Sequence, residues 1–287
     1  MTNYDARHWW RHLFKVKGSM LREIIARLAL CVVWCAVVVV FHHRVRAVDI
    51  PITVHVLVGA AMGLLLVFRT NASYDRFWEG RKLWGGIVNE TRNLIRASAE
   101  PLRDAKELHR TLAHWTAVFP WAVVRTLRSN HGDLGLFASE LPKDEIDQVL
   151  AAKNPGVAVT QRMSAILGEA RRRGIISDYV QMALDQNVQL LVDYQGGCER
   201  IHKTPMPFSY MVHLRRLLVI YCYTLPFVLV KDFGWVTIPA VFFSGFFFFG
   251  IEEIGVEIED PFDGDSNDIP LKRISASVGE TIKEMTA

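Results

Sequence analysis

From Ile50 to Phe68 the chain carries no lysine, arginine, aspartate or glutamate, and from Arg69 it passes without a break into a segment dense with charge and aromatics. As a helix, the uncharged stretch is long enough to cover a hydrocarbon core of roughly 30 Å. Its charged continuation predicts a helix that leaves the bilayer at Phe68 and carries on into water. A second uncharged stretch runs from Phe233 to Ile251. Two shorter apolar runs, Leu28 to Phe41 and Leu217 to Val230, reach spanning length with their flanks, where lysine and arginine side chains can snorkel to the interface. The pattern predicts an all-α integral membrane protein with transmembrane helices at about 22–42, 50–69, 214–230 and 233–251, arranged as two hairpins. The cytoplasmic parts would be 1–21, 70–213 and 252–287.

Orientation follows from the basic residues near the span ends. Arg7, Arg11, Lys15, Lys17 and Arg22 precede the first span, Arg69, Arg76, Arg81 and Lys82 follow the second, and Arg200, Lys203, Arg215 and Arg216 approach the third. Arg44, Arg46 and Lys231 are on the other side. Both termini are therefore expected in the cytoplasm, with the protein in the inner membrane. The first apolar run closes on no convincing small-x-small cleavage site, so no signal peptide is expected. A net charge of +3 is too small to suggest nucleic acid as a partner, and topology accounts for its basic part. Cys31, Cys35, Cys198 and Cys222 give no disulfide framework and read as buried free thiols.

The long block between the hairpins reads as mostly helical. Trp84 to Ser98 is amphipathic, Pro101 interrupts, and Asp104 to Leu127 resumes with Leu108, Leu112, Trp115, Phe119 and Val123 at helical spacing. Thr116 to Val124 is apolar but too short to span, and reads as buried core. Ser129 to Val157 is polar, with Gly132, Gly135, Pro142, Pro155 and Gly156 marking turns around a short helix. Helices are expected at Thr160–Arg172 and Ser177–Tyr194, the second ended by Gly196-Gly197. Thr204-Pro205-Met206-Pro207 marks a bend before the third span. Internal repeats and low-complexity tracts are absent from the sequence.

Within the second span, Gly59 and Gly63 form a G-x-x-x-G, which on its own signals ordinary close packing. Ala60, Leu64 and Phe68 lie at i, i+4 and i+8. Identical helices around an axis would present this face as apolar collars ending in aromatic rings. A narrow apolar collar controls ions by dewetting, and aromatic edges carry partial positive charge that suits an anion. After the last span, Glu252, Glu253, Glu257, Glu259, Asp260, Asp263, Asp265 and Asp268 occur with no basic residue among them. They read as a solvated acidic segment or, since hard cations take several oxygen ligands, as a calcium site. As an EF-hand the segment fails, because Asp268 falls on the glycine position and Ile274 on the bidentate acid position. His42-His43, His109 and His114 have poor spacing for a metal site, and H-E-x-x-H, G-x-x-x-x-G-K-[ST] and G-x-S-x-G are all missing. Asn71-Ala72-Ser73 and Asn89-Glu90-Thr91 match the glycosylation triplet but fall on the cytoplasmic side.

Two stretches resemble bestrophins. Phe68-Arg69-Thr70-Asn71-Ala72-Ser73-Tyr74-Asp75-Arg76-Phe77-Trp78-Glu79-Gly80-Arg81 is similar to the signature after their second span. Glu252-Glu253-Ile254-Gly255-Val256-Glu257-Ile258-Glu259-Asp260-Pro261-Phe262 is similar to the segment after their fourth. The resemblance, closest to the prokaryotic branch, implies a homopentameric channel with one axial pore, in contact with membrane lipid. By register its neck falls on Ala60, Leu64 and Phe68, the face reached from spacing, with Ala60 smaller than the residue usual at the outermost position. It also implies a cytoplasmic aperture at Met182, by register from Cys198. Asp265 and Asp268 match two side-chain ligands of the calcium clasp of animal bestrophins, but Gly264, Ser266 and Asn267 replace most of its other acids, which weakens the calcium reading. No cofactor is expected to be required.

The expected function is passive conduction of monovalent ions, chloride and other anions first, with no catalytic residues. The alternative within the class is a monovalent cation channel, favoured by the acids of the cytoplasmic part. A membrane enzyme or heme carrier would need paired histidines inside spans, and only His55 lies in a confident one. A non-conducting scaffold, in which the small-residue face only packs, is the third reading.

Overall fold

The computed structural model describes residues 20–47, 50–128, 134–265 and 267–287. Arg7, Arg11, Lys15 and Lys17 of the orientation argument, the expected cytoplasmic part up to residue 19, and Ser129, Gly132 and Ser266 lie outside the described residues. Most of those described are helical, with no strand among them. The helices are α1 (Leu21–Arg44), α2 (Ile52–Ala99), α3 (Lys106–Arg128), α4 (Lys143–Ala151), α5 (Pro155–Arg172), α6 (Asp178–Lys203), α7 (Phe208–Phe233), α8 (Thr237–Glu257) and α9 (Leu271–Thr286), with short 3-10 turns at Leu136–Glu140 and Gly234–Val236. Three helical stretches, Leu21–Arg44, Ile52–Ala99 and Phe208–Glu257, are long and apolar enough to cross a membrane. By contacts the chain divides into two compact units, one of residues up to Phe77 with Pro205–Asp260, the other of Trp78–Thr204 with Pro261–Ala287. The long helix α2 gives its first half to the former and its second half to the latter.

In the first unit α1, α7 and α8 pack on one another. Their shared core contains Ile24, Cys31, Cys35, Val39, Leu218, Cys222, Val241 and Phe249, joined by Met62 and Leu66 of α2. Helix α7 tolerates Pro226 in its interior. A proline there frees the carbonyl four residues back, and away from water that group needs another donor. Cys31 Sγ supplies one, reaching the Cys222 carbonyl at 3.6 Å. One residue on, Trp34 Nε1 donates to the Tyr223 carbonyl at 2.9 Å. The turn into α8 runs through Gly234 at φ +51°, a backbone that side-chain-bearing residues rarely adopt.

In the second unit α5 packs on α3, α4 and α6, and α9 packs on α3. Helix starts follow local chemistry: Asn154 Oδ1 accepts from the Val157 N–H with Pro155 opening α5, and Ser177 Oγ accepts from the Val180 N–H at the head of α6. The apolar stretch at Thr116–Val124 is buried inside α3, as its length suggests.

Two helix boundaries differ from expectation: α5 begins at Pro155, read from the sequence as a turn, rather than at Thr160, and α6 runs past its expected end. Gly196-Gly197 does not end α6, which continues to Lys203. A Cβ at Gly197 would sit 2.7 Å from Leu83 Cδ2, so the missing side chain is where α2 packs against α6 in this unit. The bend at Thr204–Pro207 separates α6 from α7 as expected.

Candidate pore face

Helix α2 has two opposed stripes in its first half. Met62, Leu66, Arg69 and Ser73, at i, i+4, i+7 and i+11, are buried. Ala60, Leu64 and Phe68 are exposed, Leu64 at 56% and Phe68 at 57%. At about 100° per residue the two stripes face opposite ways. The core thus fixes which side of α2 turns away from its own chain, and the three residues singled out by spacing share that side. The glycines divide as well. A Cβ on Gly59 would lie 2.6 Å from Tyr221 Oη, while one on Gly63 meets nothing within 4 Å. Only Gly59 serves close packing inside the first unit.

Directly beside the exposed Phe68, Arg69 is fully buried. Its Nη2 donates to Glu259 Oε2 at 3.0 Å and its Nη1 to Ser73 Oγ at 3.3 Å. Glu259 Oε1 accepts the Met206 N–H at 2.9 Å, and the Glu259 carbonyl accepts from Arg76 Nε at 3.0 Å. One glutamate thereby ties two turns of α2 to the segment entering α7 and to the end of α8. A guanidinium presents several donors in a rigid fork, so this clamp sets the rotation of α2 where the exposed face ends.

The acidic segment is not simply solvated, which corrects the sequence reading. Glu252 and Glu253 are buried and paired: Arg215 Nε to Glu252 Oε1 at 2.8 Å, Arg27 Nη1 to Glu253 Oε2 at 2.8 Å and to Glu252 Oε2 at 3.6 Å. With Glu259, at least three of the acids there are matched by arginines. These arginines were not picked out as pairing residues from the sequence. The available signal was Arg69 itself, the polar member of an otherwise apolar i, i+4, i+7 stripe, which demands a buried partner.

In the second unit Met182 stands in the second turn of α6, 68% exposed, with Gln186, Gln189 and Asp193 exposed along the same side. Asp268 is buried, and its Oδ2 accepts the N–H groups of Gly264 and Asp265 at 2.5 and 2.7 Å. Burial raises its pKa, against the lowering effect of those two bonds. Arg128 Nε donates to the Phe262 carbonyl nearby at 2.9 Å. This is a peptide-capping arrangement. Asp265 is exposed, and no group of three or more potential metal-ligating side chains occurs among the described residues. The donor set fits a calcium ion poorly. His114 packs on Phe137 with ring centroids 5.6 Å apart, a structural role, and burial lowers its pKa. All four cysteines are free and buried, and burial pushes the Cys198 thiol up to about 12.

A family model for bacterial and fungal bestrophin proteins matches residues 1–284. The chain belongs to this bestrophin family. Among curated relatives, a voltage-dependent anion channel-forming protein of Nostoc is 35% identical over 285 residues, covering 98% of this chain and 92% of that protein. One of the same description from Escherichia coli K12 is 31% identical over 284 residues, covering 97% and 92%. The crystal structure of a bestrophin homologue from Klebsiella pneumoniae superposes with a TM-score of 0.85 at 29% identity, covering 92% of this chain and 98% of that one. This bestrophin is accordingly an all-helical membrane protein, and its apolar helices are those of the first unit.

Proposed function

We propose that this bestrophin is a homopentameric, passive channel for monovalent anions, chloride foremost, with its neck at Ala60, Leu64 and Phe68. The observation that carries the reading is the exposure of that uncharged face opposite the buried stripe of α2. Five copies turned inward would form collars with no fixed charge. Such a collar resists wetting, so an ion crosses it only where ring edges or carbon-bound hydrogens offset part of its lost hydration. The names of the relatives from Nostoc and Escherichia coli, channel-forming proteins for anions, favour the same sign. The cation reading loses part of its support, because Glu252, Glu253 and Glu259 are matched by arginines. Nothing in this reading calls for a catalytic group, a heme or an activating calcium ion.

Four spans at about 22–42, 50–69, 214–230 and 233–251, both termini in the cytoplasm and residence in the inner membrane complete the proposal. The basic residues after the second span and before the third support that orientation. Met182 is proposed as a second constriction on the cytoplasmic side. The test is a planar-bilayer recording of purified protein under an asymmetric chloride gradient. The reversal potential is expected to move toward the chloride equilibrium potential, and Leu64→Ala and Phe68→Ala to raise conductance. Movement toward the cation potential overturns the selectivity, and unchanged currents in both variants overturn the neck.

A further inference from the structure

Three arginines gather near the polar ends of α1, α7 and α8, in the first unit. The two on either side of Glu252 are held, not loose: Arg215 through Nε and Arg27 through Nη1, on carboxylates that are themselves buried. Both arginine side chains remain about half exposed, at 48% for Arg27 and 52% for Arg215. A guanidinium has five N–H donors, so each keeps donors beyond those bonds. Arg216 is exposed, and it lines one hollow together with Arg215. Three cations against Glu252 and Glu253 leave the cluster net positive.

Below the arginines the surface changes character. A hollow of about 240 Å³ lies between Arg27, Arg215, Leu218, Val219, Phe249 and Glu252. A second, of about 380 Å³, adjoins it through Arg215 and Val219, and is walled by Val212, Arg216 and Ile220. Val219 and Ile220 are 47% and 60% exposed. The sequence of features along α7 is therefore fixed basic groups first and an apolar trough next, continuous along one side of a membrane helix.

We propose that this place is a binding site for an anionic phospholipid, whose phosphodiester sits on Arg27, Arg215 and Arg216 and whose acyl chain lies along Val219 and Ile220. Basic pockets between membrane helices at the cytoplasmic face take anionic headgroups, and an arginine fork matches phosphate oxygens. The buried glutamates hold two of the three forks in place before the lipid arrives, which removes much of the ordering cost of binding. A zwitterionic lipid offers the same tail but no net charge to match. The leaflet rests on the topology proposed above. The site itself does not depend on the pore.

The readout is bound lipid, so a preparation that conducts nothing still reports on the site. Delipidated full-length protein is titrated with phosphatidylglycerol or with phosphatidylcholine and followed by native mass spectrometry. Phosphatidylglycerol is expected to stay bound under activation that strips phosphatidylcholine. Arg216→Gln, which leaves both buried carboxylates paired, is expected to weaken phosphatidylglycerol retention about fivefold. Arg215→Lys, which keeps the charge beside Glu252 but withdraws the fork, is expected to give a smaller loss, and Lys231→Gln at the other end of α7 none. Equal retention of the two lipids overturns the proposal, as does unchanged retention in Arg216→Gln or a loss in Lys231→Gln matching it. Displacement of the lipid by millimolar inorganic phosphate alone would mark a free-phosphate site and overturn the lipid assignment.

Discussion

In the first unit Ile25, Leu30, Leu57 and Phe243 lie exposed while Arg69, Glu252 and Glu253 are buried. In the second, Trp84, Trp115, Phe119 and Leu167 are buried, and the charges of Arg103, Arg172 and Lys203 stand in solvent. Among the described residues both units are built from helices without strands, so the inversion comes from what surrounds them. Lipid tails are as apolar as leucine and accept Leu30 on the surface at no cost. Water does not, and there the same residue types close a core. The inversion also changes what an ion pair is worth. Exposed pairs such as Arg103 with Glu100 contribute little, whereas a buried arginine must keep its partner.

That contrast predicts a ranking. The largest effect is expected at the clamp: Arg69→Ala leaves Glu259 without its cation and should destabilise the protein by roughly 3–5 kcal/mol, read as a lowered unfolding temperature in detergent. A drop no larger than that of Arg103→Ala would erase the distinction between the units. Next comes Gly197→Ala in the second unit, where the added methyl meets Leu83 at 2.7 Å. Overpacking of this kind costs about 1–3 kcal/mol, and the same thermal measurement checks it.

A smaller effect, and one that depends on pH, is expected at Glu199. Burial pushes its pKa up, but hydrogen bonds from Lys203, Gln195 and Asn154 together bring it below the ordinary carboxylate value. A depressed folded value means stability that is present above the unfolded pKa of about 4.3 and disappears as pH falls through the folded one. Glu199→Gln should therefore cost about 1–2 kcal/mol near neutrality, and the gap to the parent protein should close on acidification. A gap that stays constant with pH would remove the charge from the explanation. Last in stability is Phe68→Ala. It lies one residue from Arg69 but on the exposed side, and is expected to shift unfolding by about 0.5 kcal/mol or less while changing the current. A thermal loss comparable to that of Arg69→Ala would mean the two stripes of α2 are not distinct.

Much of the fold was legible before any coordinates. The serine at 177 marked a helix start, and the Thr204–Pro207 bend was readable because proline acts on its immediate neighbours, whereas Pro155, read as a turn, in fact opens α5. Gly196-Gly197 misled for the opposite reason. A glycine that ends a helix and a glycine that admits a neighbouring leucine look alike in one dimension. The face of Ala60, Leu64 and Phe68 could be read because it is a matter of spacing on one helix. The acids at and beyond the end of α8 could not be read correctly, since their partners Arg27, Arg69 and Arg215 are far off in the chain.

Helical periodicity, the absence of charge from Ile50 to Phe68 and the placement of prolines act over a few residues, so they are already present in the order of amino acids. Which side of α2 is buried, and which acid meets which arginine, depend on residues such as Arg69 and Glu259, 190 positions apart. A buried charge is tolerated only beside its counter-charge. That proximity exists only once the helices have packed, and it is what makes Arg69 structural and leaves its neighbour Phe68 on the exposed side of α2.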